Sequence, residues 1–436
     1  MTALSLRQKA IRRAAGRRTF VWFGTRATDA LPLTAVAPSL FVVAQTCPLP
    51  GAAGQVSLEG ISKRRVDLDR YDIDLDSSYA AAAVVASLLQ YANNPSLIVA
   101  YRPSAFLGRL FFEPGEAICA FNFHLFQRQF EHKFWMERIL RKMDAAIPFP
   151  PTSYLRAADR SGLEQMLKAG PIVARAATGA GGANVFLIRD ADDIGPELRE
   201  RPDEVLTVSH YLAKSVPINV NACIYGGEEV RVLGVSYQLI GVRGLTRRPF
   251  GFCGNDFAAT HDLPSADLAS VEKVTVQIGK CLGRLGYRGA FGADFLITKG
   301  TVVTIEINPR FQASSALSSA VNQALELPDV VTEHVGAFLD LPPPPPTSLA
   351  EQVRQARTLR GAVPLAQVFH RNTESRAVRL VEPPAPTDAY DIDGLPNPDV
   401  SVEPGAVLFR SLHGGPITST GYAVGGDITG MESRLH

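Results

Sequence analysis

The run of residues 289–315 limits the folding of this chain more than any other, because charged side chains recur in it at strand spacing. Side chains alternate along a strand. From Thr301 to Arg310, Val303, Ile305 and Ile307 are therefore expected on one face, with Glu306, Asn308 and Arg310 on the other. The preceding strand-like segment, Ala290–Ile297, carries Asp294. A three-residue loop at Lys299–Thr301 would place Asp294 directly across from Glu306. Two carboxylates facing each other across a ladder repel. A hard divalent cation removes that repulsion, and an oxygen set of Asp, Glu and Asn suits Mg²⁺. Arg310 beside the cation suits a phosphoryl group in transfer. Glu306 and Arg310 alone would read as a solvated surface pair. Asp294, Asn308 and the apolar residues flanking both strands argue instead for a covered sheet, where unpaired charge is costly.

The chain has 436 residues, enough for two or three domains. It is 46% hydrophobic and 20% charged, an ordinary globular composition. A net charge of +1 gives no global field toward nucleic acid or a membrane surface. No apolar run reaches the length of a membrane span. The basic N-terminus lacks the apolar core of a secretion signal and reads as a short helix. The five cysteines, Cys47, Cys119, Cys223, Cys253 and Cys281, form no CxxC pair. A dispersed, odd count argues for a reducing, cytoplasmic setting and against a zinc site or disulfide framework.

Strand-length apolar runs at 19–24, 40–46, 97–101 and 116–122, with a helical stretch at Ser77–Tyr91, predict an open α/β domain. Phe123–Met143 reads as one long helix, broken by the Pro-rich joint 147–152. A helix at Gly162–Lys168 and strands at Pro171–Arg175 and Asn184–Arg189 follow, the strands flanking the glycine loop Thr178–Ala183. Leu206–Tyr211 is another strand, and Ile218–Tyr225 with Val230–Leu239 reads as a hairpin. Ala266–Leu285 has a helical apolar stripe (Leu268, Val271, Val274, Ile278, Leu282, Leu285) that suits a core-facing helix. Gly251–Phe257 reads as a loop and Leu317–Leu339 as one helix. Pro342–Pro346 is a stiff spacer, and 358–380 and 398–424 look β-rich.

The segment Glu306-Ile307-Asn308-Pro309-Arg310, preceded by a strand carrying Asp294, resembles the metal- and phosphate-binding signature of the ATP-grasp enzymes. The order of elements over about residues 130–340 is similar to theirs as well. The resemblance implies an α/β (α+β) chain in three parts. A pre-ATP-grasp α/β domain spans 1–133 and an ATP-grasp domain 134–341, with a glycine-loop lid at about 150–212 and a larger catalytic lobe at about 213–341. The Pro-rich linker and β-rich extension occupy 342–436. It also implies ATP and one or two Mg²⁺ ions, with Mn²⁺ as a substitute, held by Asp294, Glu306 and Asn308. Arg310 is then the catalytic residue, set on an acyl phosphate.

The glycine loop lets backbone N–H groups approach an anion. By the resemblance, Thr178, Gly179, Gly181 and Gly182 cover the ATP phosphates. Arg175 stands where the family has Lys, a departure that keeps the charge and changes its geometry. Ser209, His210, Tyr211 and Leu212 lie on the strand similar to the adenine hinge, although His210 departs from the family's usual Glu and also reads as structural. Asn219 shares a strand face with Asn221 and is assigned to the nucleotide; amides there suit backbone groups equally. Arg231, Gln238, Asn255, Gln312, Ser314 and Ser315 are the expected substrate contacts. Cys253 lacks an evident base nearby, so it reads as an ordinary thiol.

The expected activity is ATP-dependent joining of a small-molecule carboxylate to an amine through an acyl phosphate. Val208–Leu212, Ser215–Asn219, Gly254-Asn255 and Ile307–Gln312 narrow the resemblance to peptide ligases of the pheganomycin type, in peptide antibiotic biosynthesis, whose acceptor is a peptide or amino-acid amine. Two alternatives stay open. One is another ATP-grasp enzyme, an amino-acid ligase or a carboxylase, although the chain has no Ala-Met-Lys-Met biotinylation tetrapeptide. The other is a non-catalytic ATP-binding module. The identity of the substrates and the oligomeric state are not encoded in these motifs.

Overall fold

Among the described residues, three sheets of four or more strands organise the chain. The computed structural model describes residues 2–67, 95–103, 107, 117–190, 193, 200–382, 384, 386–387, 390–425, 428 and 434–435. The helix expected at Ser77–Tyr91 lies outside them. The first sheet is parallel, in the order Gly54–Ser57, Leu40–Thr46, Thr19–Arg26, Ser96–Ala100, Ala117–Ala120. Its strands are apolar on both faces because both faces are covered. Phe20 and Trp22 enter one core, Val21 and Phe23 the other. Trp22 also packs on Phe311, ring centres 5.6 Å apart, which ties this sheet to the residue after Arg310.

The second sheet is antiparallel, in the order Thr152–Arg156, Val205–His210, Ile172–Arg175, Val185–Ile188. The helix Arg160–Leu167 sets Leu163 into its core. The third sheet has eight strands, in the order Thr301–Asn308, Gly289–Thr298, Val216–Ile224, Val230–Ile240, Phe252–Asp256, Ala366–Arg371, Val407–His413, Tyr390–Asp393. Its main core forms against the helix Ser265–Arg284. The predicted stripe of that helix is buried from Leu268 to Leu282, whereas Leu285 is its C-cap and is exposed.

Several sequence expectations are corrected. Gly251–Phe257 is not a loop. Phe252–Asp256 is an interior strand, paired with Val230–Ile240 on one side and Ala366–Arg371 on the other. Nothing local signals it, since its second partner lies over a hundred residues away. The sheet therefore runs on past the prolines at 342–346 into the C-terminal strands. Leu317–Leu339 is two helices, Ser315–Ala324 and Val330–Phe338. Pro328 has no N–H to donate, and Asp329 caps the second helix by accepting from Val331 N and Thr332 N. Phe123–Met143 is also two helices, His124–Glu131 and Lys133–Met143, broken at His132 with ψ near 100°.

Candidate active site

The hairpin that opened the sequence reading is present, and Asp294 is paired with Glu306 across it. It reaches that pairing by a different route. The turn has two residues, Lys299 and Gly300, both at positive φ, with Thr298 opposite Thr301. That register alone would set Asp294 against Ile305. A bulge between Asp294 and Phe295 restores the offset. The bulge also corrects the predicted faces. Val302 and Ile307 enter the core, whereas Ile305 joins Glu306 and Asn308 in lining a deep cleft.

Asp294 is half-buried, facing this cleft, and held by amides. Asn219 Nδ2 donates to Oδ1 at 2.7 Å, Asn308 Nδ2 to Oδ2 at 3.1 Å and Gln312 Nε2 to Oδ1 at 3.3 Å. Gln238 bonds to it too. Burial, with the Glu306 charge behind it, pushes the Asp294 carboxyl up to about 6. The amides pull the other way and do not offset the burial.

Asn219 is itself held by Ser314 Oγ, which donates to its Oδ1 at 2.6 Å. Asn221 donates to Ser314 and accepts from Ser315 Oγ at 2.7 Å. Ser315 also accepts from Gln312 N at 2.8 Å. Its hydroxyl is committed to this network, and it does not line the cleft where a substrate contact was expected. Asn219 lines the cleft, and its amide orients Asp294. The Asn255 amide, on the cleft floor, is committed to Ser236 and Gln367.

The helix break at His132 brings in two residues that sequence reasoning missed. Residues two apart on a helix point to different faces. The break frees Glu131 and Lys133 from that rule. Lys133 Nζ donates to Gly179 O at 2.7 Å and lies 2.8 Å from Glu306 Oε1. It ties the glycine loop to the carboxylate pair. Glu131 Oε2 takes Arg102 at 2.6 Å, while its Oε1 is 3.6 Å from Arg310 Nε. Two charged residues flanking a histidine, with no Pro or Gly, give no sequence signal of a break.

Arg175 ends its strand buried beneath the cleft. Its Nη1 donates to Ile305 O at 2.6 Å, a carbonyl at the bulge. Glu137 Oε2 is 3.7 Å from Nη2. Nε and Nη2 are buried without a hydrogen-bond partner. Burial lowers the Arg175 pKa, with Glu137 opposing. A guanidinium with two unspent buried donors facing a cleft fits an anion.

In the glycine loop, Ala180, Gly181 and Gly182 line the cleft, whereas Thr178 and Gly179 do not. The Thr178 and Gly179 carbonyls accept from Asn184 Nδ2 and Lys133 Nζ instead. Gly182 lies at φ +78°, and a Cβ there would be 2.0 Å from Phe250 O, so only glycine fits against the facing loop. Ser209, His210, Tyr211 and Leu212 line the far end with Val173, Leu296 and Tyr422. Its aliphatic and aromatic side chains suit a flat heterocycle.

Gln238, Gln312, Ser314 and Arg310 line the cleft as expected. Arg310 is partly buried, its Nη1 bonded to Phe311 O and its Nη2 to Asn308 Oδ1 at 3.1 Å. Arg231, expected as a substrate contact, does not line the cleft. Its Nε donates to Pro344 O at 2.6 Å, which pins the proline segment to the outside of the sheet. Cys253 is fully buried, and burial pushes its thiol up to about 11, so it is no nucleophile.

The donor set fits a hard cation that shares its shell with phosphate. Among the described residues no three His, Cys, Asp or Glu side chains are placed to hold a metal ion together. Two carboxylates and an amide oxygen are what Mg²⁺ uses alongside phosphates and water. Gln312 Oε1, buried without a partner in the same cleft, adds an unspent oxygen.

Residues 131–314 match the ATP-grasp domain family. The span starts at Glu131 and ends at Ser314, enclosing Lys133, Arg175, Asp294 and Arg310. No curated protein matches the sequence. Among solved structures, the fold is similar to biotin carboxylase from Campylobacter jejuni, in a complex with β-γ-ATP. The TM-score is 0.63 at 14% identity, over 92% of this chain and 88% of that one. The biotin carboxylase domain of Hydrogenobacter thermophilus 2-oxoglutarate carboxylase, with MgADP and bicarbonate, matches at TM-score 0.61 and 14% identity, over 92% and 86%. N5-carboxyaminoimidazole synthetase from Staphylococcus aureus, complexed with ADP, matches at 0.54 and 12%, over 91% and 93%. The chain has the ATP-grasp fold, and at these identities the likeness is one of fold.

Proposed function

We propose that this chain is an ATP- and Mg²⁺-dependent ligase that activates a small-molecule carboxylate as an acyl phosphate and passes the acyl group to an amine. One observation carries the reading. Arg175, Asp294, Glu306, Asn308 and Arg310 line a single cleft, and Lys133 reaches it by pairing with Glu306. A carboxylate oxygen would take the γ-phosphoryl group of ATP with loss of ADP. The amine would then attack the acyl carbon, lose a proton and expel phosphate.

The part of the cleft lined by Ser209 to Leu212 would seat the adenine. Lys133 and the unspent donors of Arg175 would hold the phosphate chain. Asp294, Glu306 and Asn308 would hold Mg²⁺, which when bound neutralises phosphate charge. Arg310 would stabilise the acyl phosphate and the oxyanion that follows. The Arg-for-Lys departure at 175 supported a non-catalytic module. That support weakens because Lys133 delivers an ammonium to Glu306.

The resemblance of Ser215–Asn219 and Ile307–Gln312 to the pheganomycin-type enzymes supports a peptide or amino-acid acceptor in natural-product biosynthesis. Five free cysteines support a reducing, cytoplasmic setting. Among the described residues no helix is long and apolar enough to cross a membrane. The test is ADP release with MgATP on adding pools of amino acids, hydroxy acids and short peptides, followed by mass spectrometry of products. Binding of MgADP without stimulation by any pool would sink the ligase and favour the module.

Two outcomes follow at this site. Lys133→Met should lower kcat/KM for ATP by roughly 10²-fold, the scale of losing one preorganised charged donor. Steady-state kinetics checks it, and a change under threefold would remove Lys133 from the phosphate path. Cation binding should also depend on pH. Asp294, raised to about 6 when folded, lies above its unfolded value. For the metal-free protein its contribution to stability is full below the unfolded pKa and lost as pH rises through about 6. Cation binding needs the ionised form. Mg²⁺ affinity in the presence of ADP should therefore fall about fourfold from pH 7.5 to 5.5. Calorimetry showing a flat profile would contradict the assignment.

A further inference from the structure

A separate cavity, lined by none of the residues of the nucleotide cleft, lies where four parts of the chain meet. These are the strand Val230–Ile240, the helix Ser265–Arg284, the helix Leu349–Ala356 and the end of the proline segment. Asn322, on the helix Ser315–Ala324, joins them. The cavity volume is about 70 Å³. One water needs only ~10–15 Å³ measured in this way, so the space is larger than a single-water void.

Its lining is rich in acceptors that lack donors. Gln352 is 6% exposed, and its Nε2 donates to Val232 O at 3.0 Å and Thr347 O at 2.8 Å. Both partners are carbonyls, so the amide cannot be turned round, and Oε1 is left buried without a partner. The same logic fixes Asn322, whose Nδ2 donates to Leu233 O at 3.0 Å and Pro328 O at 2.9 Å. Among the described residues its Oδ1 takes no donor. Glu272 Oε2 accepts from Leu349 N at 3.0 Å, and no described residue donates to its other oxygen. Pro345 and Pro346 also line the cavity and have no N–H to offer. A buried acceptor without a donor is costly, and a primary ammonium brings three donors to these three oxygens.

Arg231 lines the cavity too. Its Nε is committed to Pro344 O and its Nη1 to Val230 O at 2.8 Å, with Glu229 Oε2 3.4 Å away. No described residue accepts from its Nη2. A bare metal cation would meet that guanidinium as a like charge. An α-amino acid carries an ammonium for the acceptors and a carboxylate for the guanidinium. Val276 and Leu327 supply apolar wall for its carbon atoms.

We infer that this cavity binds a small α-amino acid as its zwitterion, the ammonium on Gln352, Asn322 and Glu272 and the carboxylate on Arg231. The site goes beyond the ligase reading and does not depend on it, since the two cavities share no residue.

The test titrates full-length protein by calorimetry with glycine and alanine at millimolar concentration, and with methylammonium chloride and sodium acetate, which each carry half of the zwitterion. Glycine or alanine should bind at least about tenfold more tightly than either half, the scale of one charge-assisted hydrogen bond. Glu272→Gln keeps the volume and an oxygen for Leu349 N but removes the charge. It should weaken amino-acid binding at least about tenfold and leave MgADP affinity within about twofold. Binding of neither amino acid, or binding no tighter than methylammonium, overturns the proposal. Amino-acid binding that Glu272→Gln leaves unchanged belongs to another site and overturns it as well. Should that variant not fold, wild-type crystals soaked in glycine decide the matter. Glycine density against Gln352 and Arg231 supports the site, and an ordered water alone on Gln352 Oε1 overturns it.

Discussion

Glu306→Gln is expected to lower turnover by at least about 10²–10³-fold, the scale of losing one transition-state charge partner, while the protein stays folded. The substitution keeps the volume and removes one of the two carboxylates that would hold the cation. It also leaves Lys133 without its 2.8 Å partner, so the ammonium would pair with phosphate alone. Stability should move the other way. Glu306 is one of the causes that push Asp294 up to about 6. Without it Asp294 ionises more readily, and a repulsion across the ladder present at neutral pH is relieved. The expected result is an inactive enzyme with a melting temperature equal to or above wild type, a trade between activity and stability. Single-turnover ADP formation and calorimetric melting check the two halves. A variant keeping a tenth of wild-type activity would remove Glu306 from the metal set. A variant that melts earlier would show that the carboxylate pair is not a strained one.

The second large effect lies away from the chemistry. Gly254→Ala should destabilise the protein by about 3 kcal/mol or more, the range of severe core substitutions. Gly254 is at φ +150°, and an added Cβ would sit 2.0 Å from Gln367 O on the neighbouring strand. That atom is backbone within a ladder, so it yields only if the strands separate. Truncation after residue 341 should go further and leave no cooperatively folded protein. It strips the partner strand from Phe252–Asp256 and removes Ile417 N and Thr418 N, which donate to the buried Asp256 carboxylate at 2.6 and 3.2 Å. A buried carboxylate stripped of those donors is costly. Urea unfolding measures both. A 1–341 fragment with a sharp transition and intact MgADP binding would show that the C-terminal strands are an accessory.

The chemistry-bearing residues were legible where their geometry is local. Strand alternation placed Glu306 and Asn308 toward one side, and a short turn placed Asp294 opposite. The glycine loop and the strand at 205–210 were visible as punctuation and apolar runs. The bulge was not legible, since no Gly or Pro marks it, so Ile305 was assigned to the wrong face. Pro328 did mark the break between the two helices after the hairpin, but the apolar pattern on both sides masked it.

Composition, periodicity and one charged hairpin thus determined that this chain carries a mixed α/β fold with a cation-suited carboxylate pair. Short-range backbone geometry is enough to set side chains two and four residues apart on one face. Tertiary structure alone decided which distant groups meet them. Lys133 arrives through an unmarked helix break, and Arg175 through the carbonyl of a bulge. Those encounters depend on sheet pairing between segments with no local trace of each other. Register across such distances is fixed by the packed core as a whole, not by any single stretch of sequence.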